Sequence, residues 1–298
     1  MNRKLIKQGT SGYTITLPVD WIRRHELEPG ADVEVTFQQD DLLVSPAGKK
    51  EPQAIAFTLP SADDTVIRTM LVNAYRAGFD KIIVTFDGDK NLIHRVVEHY
   101  LIGFDVFELG KDQYSLEQVS VPDYNNFDGI IRRQFTFLEA LLRLIPNHDD
   151  PSIHEYVVKV MRYENFLKRC ITKNIFFHRA GPFLWHFLTL QTQIARECHH
   201  LQAAMNKDKL AFDTPTKKLL EEITSMLDII KSLYLGGDFS LLSSLHDKEK
   251  RIVRRESIVA LKKNYITHYL LRIAKDIYLA GSPLTGVLHV QAMENKEK

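Results

Sequence analysis

The strongest constraint on the fold lies in the first fifty residues. Residues 3–8 read as a short strand and residues 9–12 (GTSG) as a turn. Residues 13–17 (YTITL), rich in β-branched and aromatic side chains, read as a second strand that Pro18 stops. Residues 19–27 set Trp21, Ile22 and Leu27 in helical register, and Pro29-Gly30 ends the helix. Val33, Val35 and Phe37 alternate as in a strand, Asp40 and Asp41 turn the chain, and residues 42–44 return. So small a set of strands around one short helix buries little surface alone, and the unit needs a partner chain.

Charge divides within the same segment. Residues 1–27 carry five basic side chains (Arg3, Lys4, Lys7, Arg23, Arg24) against Asp20 and Glu26, a net +3. Residues 28–46 carry Glu28, Asp32, Glu34, Asp40 and Asp41 with no Lys or Arg, a net −5. A basic front defines a face for a phosphate backbone even though the whole chain, with 39 Lys and Arg against 38 Asp and Glu, is nearly neutral. The alternative is an ordinary decorated surface.

The 298 residues suffice for two domains, or two with a small insert. With 44% apolar and 26% charged residues, the chain reads as globular and not as disordered. Cys170 and Cys198 cannot staple a chain this long and fit a reducing compartment. The opening MNRKLIKQGTSG has no signal-peptide pattern, and the greasiest stretch, 174–190, is broken by His178, Arg179, Pro182 and His186. A cytoplasmic protein without membrane insertion is expected.

The string KLIKQGTSGYTITLPVDWIRRHELEPGADVEVTFQQDDLLVSP resembles the AbrB/MazE/SpoVT swapped-hairpin family in its strand ending Leu-Pro, short helix, Pro-Gly step and hairpin. The resemblance implies an interleaved homodimer, or a higher homo-oligomer, that binds DNA through the first strand, the turn and the short helix. By position the contacts are Arg3, Lys4, Lys7, Arg23 and Arg24, with Thr10 and Ser11 as turn hydroxyls near phosphate. The family's turn often holds another Arg or Lys where this chain has Gly-Thr-Ser-Gly. Two copies of the basic face, each net +3, offer a net charge of about +6, enough for about six phosphate contacts and steeply salt-dependent binding. The other reading of the unit is dimerisation alone.

After a polar joint at 47–53 the pattern becomes that of a small α/β unit. Strands are expected at 54–59, 81–86, 106–109 and 114–119, with helices capped by Asp63 or Asp64 through Ala77 and over 91–102. Residues 51–127 hold twelve acids and six bases, and no Gly-rich phosphate loop. Asp87-Gly88-Asp89-Lys90 lacks the ligand pattern and closing Glu of a calcium loop and reads as a turn.

From residue 128 nearly everything reads as helix. Ile131, Phe135, Leu138, Leu142 and Ile145 follow the 4-3-4-3 spacing of a bundle seam. Asp150-Pro151 opens a second helix with Val157, Val160, Leu167 and Ile171 inward. A third follows Pro182 with Phe187, Leu190, Ile194, Leu201 and Met205 inward. Three more are expected near 215–235, 238–262 and 264–280, and residues 286–298 read as a tail. Residues 164–169 overlay 249–254 at an offset of 85, and 193–196 overlay 272–275 at an offset of 79. Tandem three-helix repeats over about 127–206 and 213–282 follow.

This half, with NAYRAGFDKI, YLIGFDVFE and FDGIIRRQFTFLEALL upstream, resembles PhoU-type phosphate-uptake regulators of the archaeal kind that carry an AbrB-like domain in front. The implied fold is α+β: a swapped-hairpin domain (1–48), a connecting α/β domain (53–122) and a six-helix PhoU-like bundle of two repeats (127–285). PhoU repeats usually carry Glu/Asp-x-x-x-Asp pairs that converge on a metal cluster. The first-acid positions here are Glu164, Thr192, Glu249 and Leu271; the second-acid positions are Lys168, Arg196, Val253 and Lys275. Three of the second acids have become basic, so no metal cluster is expected. A slip of one residue would bring Asp247 or Asp276 back. Glu164 and Lys168 would form an i,i+4 ion pair of about 0.2–0.5 kcal/mol. An anion site of Lys168, Arg196 and Lys275 is a further reading.

Glu197, Cys198, His199 and His200 do not make a tetrahedral zinc site, because adjacent histidines leave a helix on different sides. These histidines read as solvent-facing or packing groups, Cys170 as a packing thiol, and Arg132-Arg133 as a solvated helix start. No Ser-His-Asp set, Walker loop or GxSxG motif occurs, so neither catalysis nor a cofactor is expected. The expectation is a DNA-binding transcriptional regulator tied to phosphate-uptake control. The alternatives are a signalling adaptor docking on a phosphate transporter or sensor kinase, and a metal-storing helical protein.

Overall fold

In the computed structural model residues 2–10, 12–38, 41–47, 52–120, 126–147, 149–173, 179–255 and 265–294 are described. They fall into two compact units, Met1–Pro52 and Gln53–Lys298.

The first unit holds two antiparallel ribbons and one short helix. Strand β1 (Ile6–Gln8) pairs with β2 (Gly12–Thr14), Lys7 opposite Tyr13. Gly9, at φ +71°, supplies the left-handed turn residue between them. Helix α1 (Val19–Arg24) starts where the Pro18 carbonyl accepts from the Trp21 and Ile22 N–H groups, both at 3.1 Å. Strands β3 (Val33–Gln38) and β4 (Asp41–Pro46) form the second ribbon, Val35 opposite Val44. The expected order of elements is present.

The second unit opens with a four-stranded sheet of β5 (Ala54–Thr58), β6 (Lys81–Thr85), β7 (Phe104–Gly110) and β8 (Gln113–Gln118), in the order β5-β6-β8-β7. Strand β5 runs parallel to β6, with α2 (Asp64–Arg76) as the crossover; the other pairings are antiparallel. Helix α3 (Asn91–Tyr100) links β6 to β7. Asp63, not Asp64, is the cap of α2: its carboxylate accepts from the N–H groups of Thr65 (2.8 Å) and Val66 (3.1 Å). Ile67, Leu71 and Tyr75 of α2, Ile93 and Val96 of α3, and Ile82, Val84 and Leu116 of the sheet are buried together.

Helices α4 (Phe127–Leu144), α5 (Ser152–Thr172) and α6 (Gly181–Asp208) pack pairwise as one trio. Helices α7 (Thr214–Gly236), α8 (Leu241–Glu249) and α9 (Tyr265–Glu294) form another, and α6 lies along α9. All five seam positions of α4 are buried, as are Val157, Val160 and Leu167; Ile171 is partly exposed. Helix α8 runs on as a π-helical stretch, Lys250–Arg255.

Two expectations need correction. Residues 286–294 are not a tail, because α9 continues through them with Val287 and Leu288 buried. Gly281, Pro283 and Gly286 look like breakers, but burial of the apolar face outweighs their low helix propensity. Gly286 lies under the Phe183 ring, where a Cβ would come within 2.4 Å of a ring carbon, so the glycine permits the close approach. The connecting α/β domain is also no separate body; it shares one compact unit with the helices.

What fuses them is α5. Helix α5 packs on α2 and α3, and Arg169, 2% exposed in its side chain, reaches into the α/β part. Its Nη1 donates to the carbonyls of Tyr75 and Phe79, both at 2.8 Å. Its Nη2 donates to Asp80 Oδ1 (2.8 Å) and Gln118 Oε1 (2.9 Å). The rings of Tyr75 and Phe104 lie 4.9 and 5.0 Å from the guanidinium carbon. Lys173 joins Asp80, and Asn165 Nδ2 donates to the Tyr100 carbonyl at 3.1 Å. Removing one partner of a buried ion pair costs about 3–5 kcal/mol. Arg169→Met is expected to lose stability on that scale in urea unfolding, whereas Arg132→Ala, on an exposed pair of α4, leaves the midpoint unchanged.

Candidate nucleic-acid interface

The first unit exposes every described residue expected to touch DNA. Arg3, Lys4, Lys7, Thr10, Arg23 and Arg24 are all exposed, and Ser11 lies outside the described residues. Lys7 shares a ribbon face with Tyr13, since directly paired residues point the same way. Arg23 and Arg24 occupy the last turn of α1, where the unpaired carbonyls favour cations. Among the described residues none of the five basic side chains is ion-paired. Trp21 and His25 bring their ring centroids within 4.9 Å beside the two arginines, an aromatic neighbour the sequence reading did not single out.

The same unit has no buried residue among those whose burial is described. Leu5, Tyr13 and Leu42 are 66%, 61% and 59% exposed, and Ile15, Val19 and Val35 are exposed as well. Two-stranded ribbons are marginal alone, so this apolar surface is the part of the unit that lacks a counterpart.

Residues 6–52 match the family model described as antidote-toxin recognition MazE, bacterial antitoxin. The first unit is a MazE/AbrB-type domain. No curated protein and no solved structure matches the chain. No helix among the described residues is long and apolar enough to cross a membrane.

In the second unit the former acid positions make ion pairs of a different kind. The Glu164–Lys168 pair forms at 2.6 Å, but both side chains are only 3% exposed, so the magnitude for a surface pair does not apply. Arg76 of α2 completes it, donating from Nη2 to Glu164 Oε2 at 2.9 Å and from Nε to Asn165 Oδ1 at 2.9 Å. Burial holds the Lys168 ammonium below the usual lysine range despite Glu164, and Arg76 and Arg196 add to the effect. Lys275 lies 3.7 Å from Glu249 and over the Tyr278 ring, and Arg76 lies within electrostatic reach of Lys168 and Arg196. Arg76 carried no local signal except its position one turn beyond the buried Val72; its partner lies 88 residues away.

Among the described residues no group of three or more His, Cys, Asp or Glu side chains is arranged to hold a metal ion. Burial pushes the thiols of Cys170 and Cys198 up to about 12, which keeps them protonated and unreactive. His199 packs beside His154 at 5.6 Å between ring centroids, and His200 is exposed.

Asp276, a residue that a slipped alignment would return to the acid set, lies near Glu197, whose Oε1 pairs with Arg272 at 2.6 Å. Burial and then Glu197 push the Asp276 carboxyl up to about 6. A carboxyl with a folded pKa above its unfolded one binds more protons when native, so its effect on stability turns unfavourable as pH rises from about 4 to about 6. Asp276→Asn is expected to raise the thermal midpoint at pH 7.5 and to leave it unchanged near pH 4. Discounted for partial exposure, the gain is roughly 1–2 kcal/mol. Melting curves at the two pH values check the sign.

Proposed function

We propose that this chain is a DNA-binding transcriptional regulator, dimeric through its MazE-type domain, and not an enzyme. One observation carries the reading: a domain with no buried residue among those whose burial is described bears five exposed, unpaired cations, Arg3 and Lys4 ahead of its first strand, Lys7 on it, and Arg23 and Arg24 on the short helix. A second copy covers the exposed Leu5, Tyr13, Ile15 and Leu42, and pairing doubles the cations offered to a duplex. Arg3, Lys4, Lys7, Arg23 and Arg24 neutralise phosphates, and the turn around Thr10 approaches the backbone. Phosphate contacts fix position, whereas sequence readout falls to whichever arginine reaches a groove edge.

The helical half is read as the sensing part, PhoU-like in its two trios of helices and linked by that likeness to phosphate-uptake control. The signalling-adaptor reading takes over if the chain dimerises and no duplex binds. The matching family, antidote-toxin recognition MazE, also favours a second reading, recognition of a toxin protein by the same domain.

A gel shift on DNA upstream of its own gene, titrated in salt, tests the proposal. About six phosphate contacts per dimer give a slope of log affinity against log salt near −5. Changing Arg3, Lys7, Arg23 and Arg24 together to Ala is expected to cut the slope by more than half and the affinity at least tenfold. An unchanged slope and affinity would overturn the reading.

A further inference from the structure

One cluster inside the second unit carries charges that do not cancel. At the junction of α2, α5 and α6, Arg76, Lys168 and Arg196 lie within electrostatic reach of one another around a single carboxylate, Glu164. Both oxygens of that carboxylate are occupied, Oε1 by Lys168 Nζ at 2.6 Å and Oε2 by Arg76 Nη2 at 2.9 Å. Lys168 also donates to Thr189 Oγ1 at 2.7 Å and lies 4.8 Å from the centre of the Trp185 ring. The cluster keeps a formal charge of about +2 in a setting where desolvation makes like charges costly.

Donors remain after those bonds are made. Arg196 is partly buried and, among the described residues, has neither a hydrogen bond nor an ion pair. Arg76 spends Nε and Nη2 on Asn165 and Glu164, leaving Nη1. Thr192 is 2% exposed and its Oγ1 has no hydrogen-bond partner. Trp185, Thr189, Thr192 and Arg196 follow one another at spacings of 4, 3 and 4 along α6, so they share the face that meets Lys168. Buried polar groups are normally satisfied, and an orphaned hydroxyl beside an unpaired guanidinium marks a missing acceptor.

We propose that this junction binds a phosphate-type oxyanion, a tetrahedral dianion held by the free edges of Arg76 and Arg196 and by the Thr192 hydroxyl. Two charge-assisted contacts from guanidinium groups suit several acceptor oxygens on one centre. The residues belong to α2 on one side and to α5 and α6 on the other, so the anion reinforces the seam that joins the α/β part to the helices. The inference stands on this geometry alone and does not depend on DNA binding.

The test uses the full chain, with inorganic phosphate and glycerol phosphate as probes, and chloride at equal ionic strength as the reference. Titration calorimetry and thermal melts are expected to give saturable binding and a rise in midpoint beyond that with chloride. A response to inorganic phosphate alone assigns the free ion; an equal response to glycerol phosphate assigns a phosphomonoester. Arg196→Gln removes a side chain without protein partners and is expected to weaken binding at least tenfold while the far-ultraviolet spectrum stays native. Thr192→Val, which keeps shape and burial, is expected to weaken it several-fold. The variant with Arg3, Lys7, Arg23 and Arg24 changed to Ala is expected to bind phosphate as the wild type does. Response equal to that with chloride, unaltered binding by Arg196→Gln, or loss of binding in the four-alanine variant would each overturn the site.

Discussion

A β unit with no buried side chain among those whose burial is described has little of its own to set against the entropy of ordering its backbone. The strands of the two ribbons are three and six residues long, and α1 has no buried residue at all. In our account a second copy supplies the missing surface. Dimerisation is then a condition for the unit to hold its shape, and the same step gathers two sets of cations. Function and folding thus rest on one shortage of apolar contact.

The second unit solves the opposite problem, with charges placed inside. Arg169 satisfies four acceptors and lies over two adjoining rings, so its desolvation is offset by hydrogen bonds and cation–π contact. The segment 164–169, which reads from the sequence as a repeat element, is the strip by which α5 grips the α/β part. Glu164, Asn165 and Arg169 each bond to a residue between 65 and 94 positions upstream. Polar groups that look like remnants of a ligand set hold two layers in register.

Local pattern made much of this readable. The seam from Ile131 to Ile145, the alternation of Val33 and Val35 and the cap ahead of α2 express periodicities that act within a few residues. Long-range pairing was not readable. Nothing near Arg76 announces Glu164, and nothing near Lys275 announces its approach to Glu249. The end of α9 was misread because Gly286 acts through the Phe183 ring above it, a contact between residues 103 positions apart. The cationic residues of the first unit were legible because exposed residues of a small module answer to composition and order more than to packing.

Sedimentation equilibrium of the full chain over a wide range of concentration tests the central claim most directly. The account predicts a dimer at micromolar concentration, whose dissociation on dilution is accompanied by unfolding of the first fifty residues, seen as loss of their amide protection. A monomer in which those amides stay protected would contradict it.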